Sequence, residues 1–247
     1  MFLKIRLFPR IFLTALGLVV FTLLFTPPII LASMFTSSGA LAFIIMRWWA
    51  LIISFLMGLK FSISGIENIS PGQSYIITPN HQGNADILAL LTNLPVRFHW
   101  VIKRELLRIP VFGWALAGTG AISIDRSNKE TAVSSLNQAK KKLSNGWSVL
   151  IYPEGTRTPD GNLLPFKKGP FMMAVQTGLP ILPVTSNGAF KILPKKTVAF
   201  RPGLITLTIG EPIITKGLTV DDVPWLMEQT RNTIASNLKT DYDPFNK

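Results

Sequence analysis

Two residues able to do acid–base chemistry stand five apart in Asn80-His81-Gln82-Gly83-Asn84-Ala85-Asp86, just after the strand-like run Tyr75-Ile76-Ile77-Thr78. The chain has only two histidines in 247 residues. An imidazole is suited to accept a proton near neutral pH. A carboxylate on its far nitrogen fixes the tautomer and stabilises the imidazolium that forms. The chain has no cysteine, and no serine lies in a nucleophile-elbow sequence. The simplest chemistry is a His81–Asp86 pair that activates a hydroxyl belonging to a substrate. The plainer alternative makes Asp86 the cap of an apolar helix, Ile87-Leu88-Ala89-Leu90-Leu91, with His81 in an exposed turn. The second histidine, in Phe98-His99-Trp100, has no acidic neighbour and reads as structural.

Composition says what must surround such a pair. A formal net charge of +12 and a pI near 10.2 call for an anionic partner. Charged residues make up only 15% of the chain and hydrophobic ones 48%, which suits an anionic phospholipid membrane and not a nucleic acid. The absence of cysteine excludes disulfides, thiolate catalysis and cysteine-ligated metals. No residue from 11 to 46 is charged. A single bilayer-crossing helix needs about 20 residues, and Pro27-Pro28 and Ser37-Ser38-Gly39 interrupt this stretch. The expectation is therefore two helices, near 11–26 and 41–58. They form a membrane-anchoring hairpin over 1–58 that either spans twice or re-enters one leaflet. Arg47 followed by Trp48-Trp49 suits the headgroup boundary and favours the shallow arrangement. Lys4, Arg6 and Arg10 put the amino end, and so the rest of the chain, on the cytoplasmic face of the cell membrane.

Residues 59–247 read as one α/β domain with a largely parallel sheet flanked by helices. Strand-like runs lie at Lys60–Gly65, Tyr75–Thr78, Phe98–Ile102, Ala121–Asp125, Ser148–Tyr152, Ile181–Thr185 and Leu204–Ile209. The spacing predicts a helix over 130–145, opened by Ser127-x-x-Glu130 and closed by Asn145-Gly146. Another begins after Thr219. Two strand ends carry charge. Arg126 follows Ile122-Ser123-Ile124-Asp125, and a guanidinium there can grip a phosphate or pair locally with Asp125. Glu154, Gly155 and Arg157 follow another strand in Tyr152-Pro153-Glu154-Gly155-Thr156-Arg157, a turn able to bind a polar ligand or simply to hold a salt bridge. Leu179-Pro180-Ile181-Leu182-Pro183-Val184 reads as a core strand more readily than as an acyl slot.

Together these segments resemble a known family. Asn80-His81-x4-Asp86, Gly120-x-Ile122-x-Ile124-Asp125-Arg126, Tyr152–Arg157 and Pro180–Val184 follow the order of the four sequence blocks of the glycerolipid acyltransferases. The chain looks like a bacterial member acting on 1-acyl-glycerol-3-phosphate. Lys103-x-Glu105-Leu106-x-x-Ile109-Pro110-x-Phe112-Gly113 resembles a further segment of that family. The resemblance implies that His81 is the general base and Asp86 its orienting partner. It implies that Arg126, Glu154, Gly155 and Arg157 bind the acceptor, with Lys103 adding positive charge. The implied reaction moves an acyl group from a thioester, acyl-CoA or acyl-carrier protein, to the sn-2 hydroxyl of lysophosphatidic acid. It calls for no metal and no cofactor. Acylation of glycerol-3-phosphate or of another lysophospholipid is the near alternative; a non-catalytic basic membrane-binding protein is the distant one. Gly83 stands where serine is common in the family, Ser123 where an aromatic is common, and Tyr152 where phenylalanine is usual.

Overall fold

The computed structural model describes residues 2–35, 39–124, 143, 146–195, 197 and 199–245, without the side chains of 2–7 and 124. Arg126 and, apart from residue 143, the helix expected over 130–145 therefore lie outside the described residues.

Seven strands form one sheet: β1 (Lys60–Ser64), β2 (Ile76–Pro79), β3 (Arg97–Lys103), β4 (Ile122–Ile124), β5 (Trp147–Leu150), β6 (Ile181–Asn187) and β7 (Leu204–Ile209). Each coincides with one of the seven runs read from the sequence. Their spatial order is β1-β7-β6-β2-β5-β3-β4. Every pair is parallel except β6 and β7. The central strands β2, β5 and β6 are buried along their whole length. That is why they read as continuous apolar runs, as strands covered on both faces do. β7 instead alternates, with Ile205, Leu207 and Ile209 turned inward.

Among the described residues the α-helices are α1 (Phe2–Phe35), α2 (Ala40–Met57), α3 (Ala85–Asn93), α4 (Phe112–Gly118), α5 (Gly169–Thr177), α6 (Ala189–Ile192) and α7 (Val223–Asn237). One face of the sheet meets α5 and α7 through Val149, Ile151, Phe171, Met173, Val223 and Leu226. The other meets α2 and α3. There, Ala42, Phe43, Met46, Ala50, Ile53 and Met57 of α2 join Leu88, Leu91, Phe98, Trp147 and Leu182 in one cluster. Phe43 sits edge-on to Phe98 at 5.2 Å and to Trp147 at 5.7 Å. Removing a ring so placed costs on the order of 3–5 kcal/mol. Gly58, at φ 67°, ends α2 in the left-handed conformation that glycine tolerates, and the chain turns directly into β1.

The first two helices correct the sequence reading in two places. α1 runs through Pro27-Pro28 without breaking. Those prolines remove the N–H groups that would bond the carbonyls of Leu23 and Leu24. The helix persists because packing continues beyond them. Ile29 and Ala32 are buried, and Ile29 lies against Gly118 of α4. Just before them, the Thr26 hydroxyl donates back to the Thr22 carbonyl at 2.7 Å. Arg47 is the second correction. It is half-buried and donates to the carbonyl of Thr92, in the last turn of α3, at 2.7 Å. Its charge serves a helix carboxyl end inside the protein, where cations are favoured, and is not spread among headgroups. Arg10 acts alike, donating from Nε to the Leu56 carbonyl at the end of α2 at 2.9 Å.

Two helical segments, Phe8–Phe35 and Ala40–Met57, are long and apolar enough to cross a membrane. On α2 the face opposite the core carries exposed Leu41, Ile44, Trp48, Leu51 and Phe55. On α1, Phe12, Leu16, Val19, Leu23 and Leu24 are exposed as well. So large an exposed apolar surface marks an interaction site, and its chemistry is that of lipid. The protein is membrane-associated through these two helices.

Candidate active site

Strands β2 to β6 present their carboxyl ends along one edge of the sheet, where open parallel sheets place ligands. Asn80 follows β2 there. Its side chain donates to the Ser186 carbonyl at 3.0 Å and accepts from the Ser186 N–H at 2.7 Å, extending the β2–β6 pairing by one residue. The next residue is His81, and the turn after β5 holds its backbone on both sides. The His81 N–H donates to Glu154 Oε1 at 2.7 Å, and the His81 carbonyl accepts from the Thr158 N–H at 2.9 Å. Its ring lies flat on Tyr152, with centroids 3.7 Å apart and planes 14° from parallel.

The imidazole Nδ1 is 3.2 Å from Asp86 Oδ2. Asp86 sits in the first turn of α3 and is fully buried, while the His81 side chain keeps 13% of its surface exposed. The same Oδ2 accepts the N–H groups of Gln82 at 2.6 Å and Gly83 at 2.8 Å. Oδ1 accepts the Ser186 hydroxyl at 2.6 Å. Of the two meanings that the sequence left open for Asp86, the structure keeps the pairing and not the cap. Asp86 lies inside the first turn of α3, behind the N-cap residue Asn84, and its carboxylate takes loop amides that precede the helix while it faces the imidazole. With Nδ1 committed to Asp86, Nε2 is the nitrogen left for a substrate.

Gly83 has a local reason. A Cβ there would lie 2.7 Å from the Leu193 carbonyl oxygen and 2.9 Å from that of Ala189. Helix α6 and the residue after it occupy the space a serine would need.

The turn after β5 differs from the expectation at one residue. Glu154 does not face outward toward a ligand. It is buried, with Oε1 on the His81 N–H and Oε2 on the Leu164 N–H at 2.9 Å. Burial raises its carboxyl to about 7, partly offset by those two amides and by Arg231, while the charge of Asp86 adds to the rise. Burial, with Asp86 and Glu154 nearby, also pushes the Tyr152 phenol well above its ordinary range. Gly155 makes the turn at φ 72°, its N–H donating to the Tyr152 carbonyl at 3.1 Å. Arg157 follows, half-buried. Lys195 Nζ reaches the Thr156 hydroxyl at 3.1 Å and the Arg157 carbonyl at 3.2 Å, adding a cation to this turn. Lys103 closes β3 at the same sheet edge and is exposed. His99 is buried, its Nδ1 3.2 Å from the Thr119 carbonyl and its ring stacked on Trp147, which is a structural role. Ile181, Leu182 and Val184 are fully buried core residues of β6.

Three members of the site were not singled out from the sequence: Ser186, Lys195 and the stacked ring of Tyr152. Ser186 lies 100 residues from the carboxylate it supports, and no spacing rule links them. Lys195 stood in Pro194-Lys195-Lys196 as one basic residue among many. Tyr152 was visible only as an aromatic within a short block.

A His–Asp pair thus stands at the carboxyl end of a central parallel strand, with Lys103 closing β3 and Arg157 and Lys195 at the turn after β5, a set of groups chemically able to activate a substrate hydroxyl beside an anion. Comparison with known proteins agrees. The acyltransferase family model matches residues 60–187. The human 1-acyl-sn-glycerol-3-phosphate acyltransferase alpha is 35% identical over 201 residues, covering 80% of this chain and 71% of the relative. A Pseudomonas aeruginosa 1-acyl-sn-glycerol-3-phosphate acyltransferase is 37% identical over 179 residues, covering 71% of this chain and 68% of the relative. The crystal structure of the 1-acyl-sn-glycerophosphate acyltransferase PlsC from Thermotoga maritima superposes with a TM-score of 0.81 at 26% identity, covering 95% of each chain. The chain belongs to the acyltransferase family. The two sequence relatives given above are named as 1-acyl-sn-glycerol-3-phosphate acyltransferases.

Proposed function

We propose that this membrane-associated acyltransferase acylates the sn-2 hydroxyl of lysophosphatidic acid, with His81 as general base and Asp86 as its partner. The observation that carries the roles is the pairing of His81 Nδ1 with a buried carboxylate at 3.2 Å, which leaves Nε2 free. Nε2 takes the proton of the acceptor hydroxyl. The oxygen attacks the carbonyl carbon of the acyl thioester, and the tetrahedral intermediate collapses with cleavage of the C–S bond. The imidazolium returns its proton to the departing thiolate, and phosphatidic acid remains in the membrane. The scheme needs no metal or cofactor.

Lys103, Arg126, Gly155 and Arg157 are the groups we assign to the acceptor's phosphate. Guanidinium and ammonium donors match phosphate oxygens, and a turn with glycine lets backbone approach. Glu154, clamped on two backbone amides, is assigned to supporting His81. Residues 1–58 form the anchor, and 59–247 carry the chemistry. The anchor lies on the cytoplasmic face, within one leaflet. Support comes from α2, which packs one face on the sheet and so cannot be ringed by lipid. Single cysteines placed at 36–39 in this cysteine-free chain would be labelled from outside intact cells if the hairpin spanned, and that result would overturn the one-leaflet arrangement.

The direct test is purified full-length enzyme assayed with lysophosphatidic acid, glycerol-3-phosphate and a second lysophospholipid, each with acyl-CoA and acyl-carrier protein. Lysophosphatidic acid is expected to have the highest kcat/KM with at least one donor. Preference for glycerol-3-phosphate, or no transfer to lysophosphatidic acid with either donor, would contradict the assignment.

A further inference from the structure

A single hydrogen bond does not fix an imidazole. The bond from Nδ1 to Asp86 pins one atom, and the second side-chain torsion of histidine is broad. The ring could still swing about that contact and carry Nε2 off line. In this protein something flat lies against it. The Tyr152 ring covers one face of the imidazole at 3.7 Å and 14°. Trp100 is a further aromatic neighbour of the platform, its centroid 6.3 Å from that of Tyr152 and its plane 24° from parallel. Tyr152 also packs against the large core cluster that α2 and α3 share with the sheet. Two residues further on, Glu154 grips the His81 N–H. One short turn thus holds both the ring and the backbone of His81.

The phenol oxygen takes no part in this. It is buried and has no hydrogen-bond partner among the described residues. A buried hydroxyl without a partner is a cost to the fold. What the site gains from Tyr152 is therefore its ring.

We infer that Tyr152 is a positioning residue for acyl transfer: its ring sets the plane of the His81 imidazole, keeping Nδ1 on Asp86 and Nε2 aimed at the acceptor hydroxyl. The inference rests on His81 being the base. It assigns the first residue of the Tyr152–Arg157 segment to holding the base and not to binding substrate.

The experiment measures kcat and both KM values for the full-length enzyme and for Tyr152→Phe, Tyr152→Leu and His81→Ala. Tyr152→Leu removes the flat face. Misplacement of a reacting group by about 1 Å can cost roughly 100-fold, so kcat is expected to fall about 10- to 100-fold, with both KM values moving much less. Tyr152→Phe keeps the face and is expected to recover most of the kcat that leucine loses, with a raised melting temperature. A merely structural role would not separate kcat from KM in this way. If the leucine variant does not fold, Tyr152→Met fills the space without a ring and carries the same expectations. Near-normal kcat in folded Tyr152→Leu or Tyr152→Met overturns the inference. So does a Phe variant as impaired as Leu, since the hydroxyl would then be the working group. A rise in KM with kcat unchanged overturns it too, since the ring would then be a substrate contact. The control separates the two levels: an active His81→Ala variant refutes the base assignment, whereas an inactive one beside a normal Tyr152→Leu refutes only the role of the ring.

Discussion

Replacing Asp86 with asparagine separates its two duties, because the surroundings dictate how the amide must sit. Three donors converge on Oδ2: the N–H groups of Gln82 and Gly83, and His81 Nδ1. The asparagine oxygen must occupy that position, since an NH2 group there would face two N–H groups. The NH2 then meets the Ser186 hydroxyl, which can turn to accept. Hydrogen-bond count and histidine tautomer both survive, and only the negative charge is lost. At 3.2 Å and an effective dielectric of about 20, an imidazolium–carboxylate attraction is about 5 kcal/mol. That is a ceiling, because the His81 side chain is 13% exposed and the neutral amide still accepts from it. We expect kcat to fall roughly 100- to 1000-fold in Asp86→Asn, at 1.36 kcal/mol per factor of ten. Exchanging charged for neutral hydrogen bonds should cost the fold only about 1–3 kcal/mol. The assay is steady-state acyl transfer beside thermal unfolding of the same preparation. A folded variant with kcat within about threefold of wild type would refute the reasoning and leave Asp86 as an acceptor for the Gln82 and Gly83 amides alone, since a working acid–base pair is typically worth 100-fold or more.

Two further expectations concern residues around the pair. Glu154 has a folded value of about 7 against an ordinary 4.5, so between these pH values the folded state holds a proton that the unfolded chain releases. Stability attributable to this group therefore falls by about 3 kcal/mol as pH rises through that window and is level above it; Glu154→Gln should lack this component in unfolding measurements at pH 5 and pH 8, and an identical pH dependence in both proteins would contradict the buried carboxyl. Gly83→Ser places Cβ against two carbonyl oxygens, at 2.7 and 2.9 Å. It should cost about 1–3 kcal/mol by overpacking, lowering the melting temperature, and an unchanged melting temperature would show that α6 yields freely.

Different physics governs what the sequence disclosed and what it concealed. The strands were legible because β2, β5 and β6 are covered on both faces and must be apolar throughout. His81 and Asp86 were legible because a short turn joins them. The contacts that complete the site were not legible. Ser186 reaches Asp86 only through the pairing of β2 with β6, and Glu154 reaches His81 only because β5 lies beside β2. Sheet order is a tertiary fact that no local pattern encodes. Pro27-Pro28 misled because a local rule was outweighed by burial of Ile29 and Ala32 beyond it. Arg47 misled because a cation in an apolar helix can face lipid or protein, and here it completes the end of α3.

The most direct test of the account is acyl transfer by His81→Ala beside wild type, each purified at full length and supplied with lysophosphatidic acid and the better of the two thioester donors. Removing a general base typically costs roughly 100- to 10,000-fold, and the loss should fall on kcat while the melting temperature stays near that of wild type. A folded His81→Ala enzyme that forms phosphatidic acid at close to the wild-type rate would contradict the central claim.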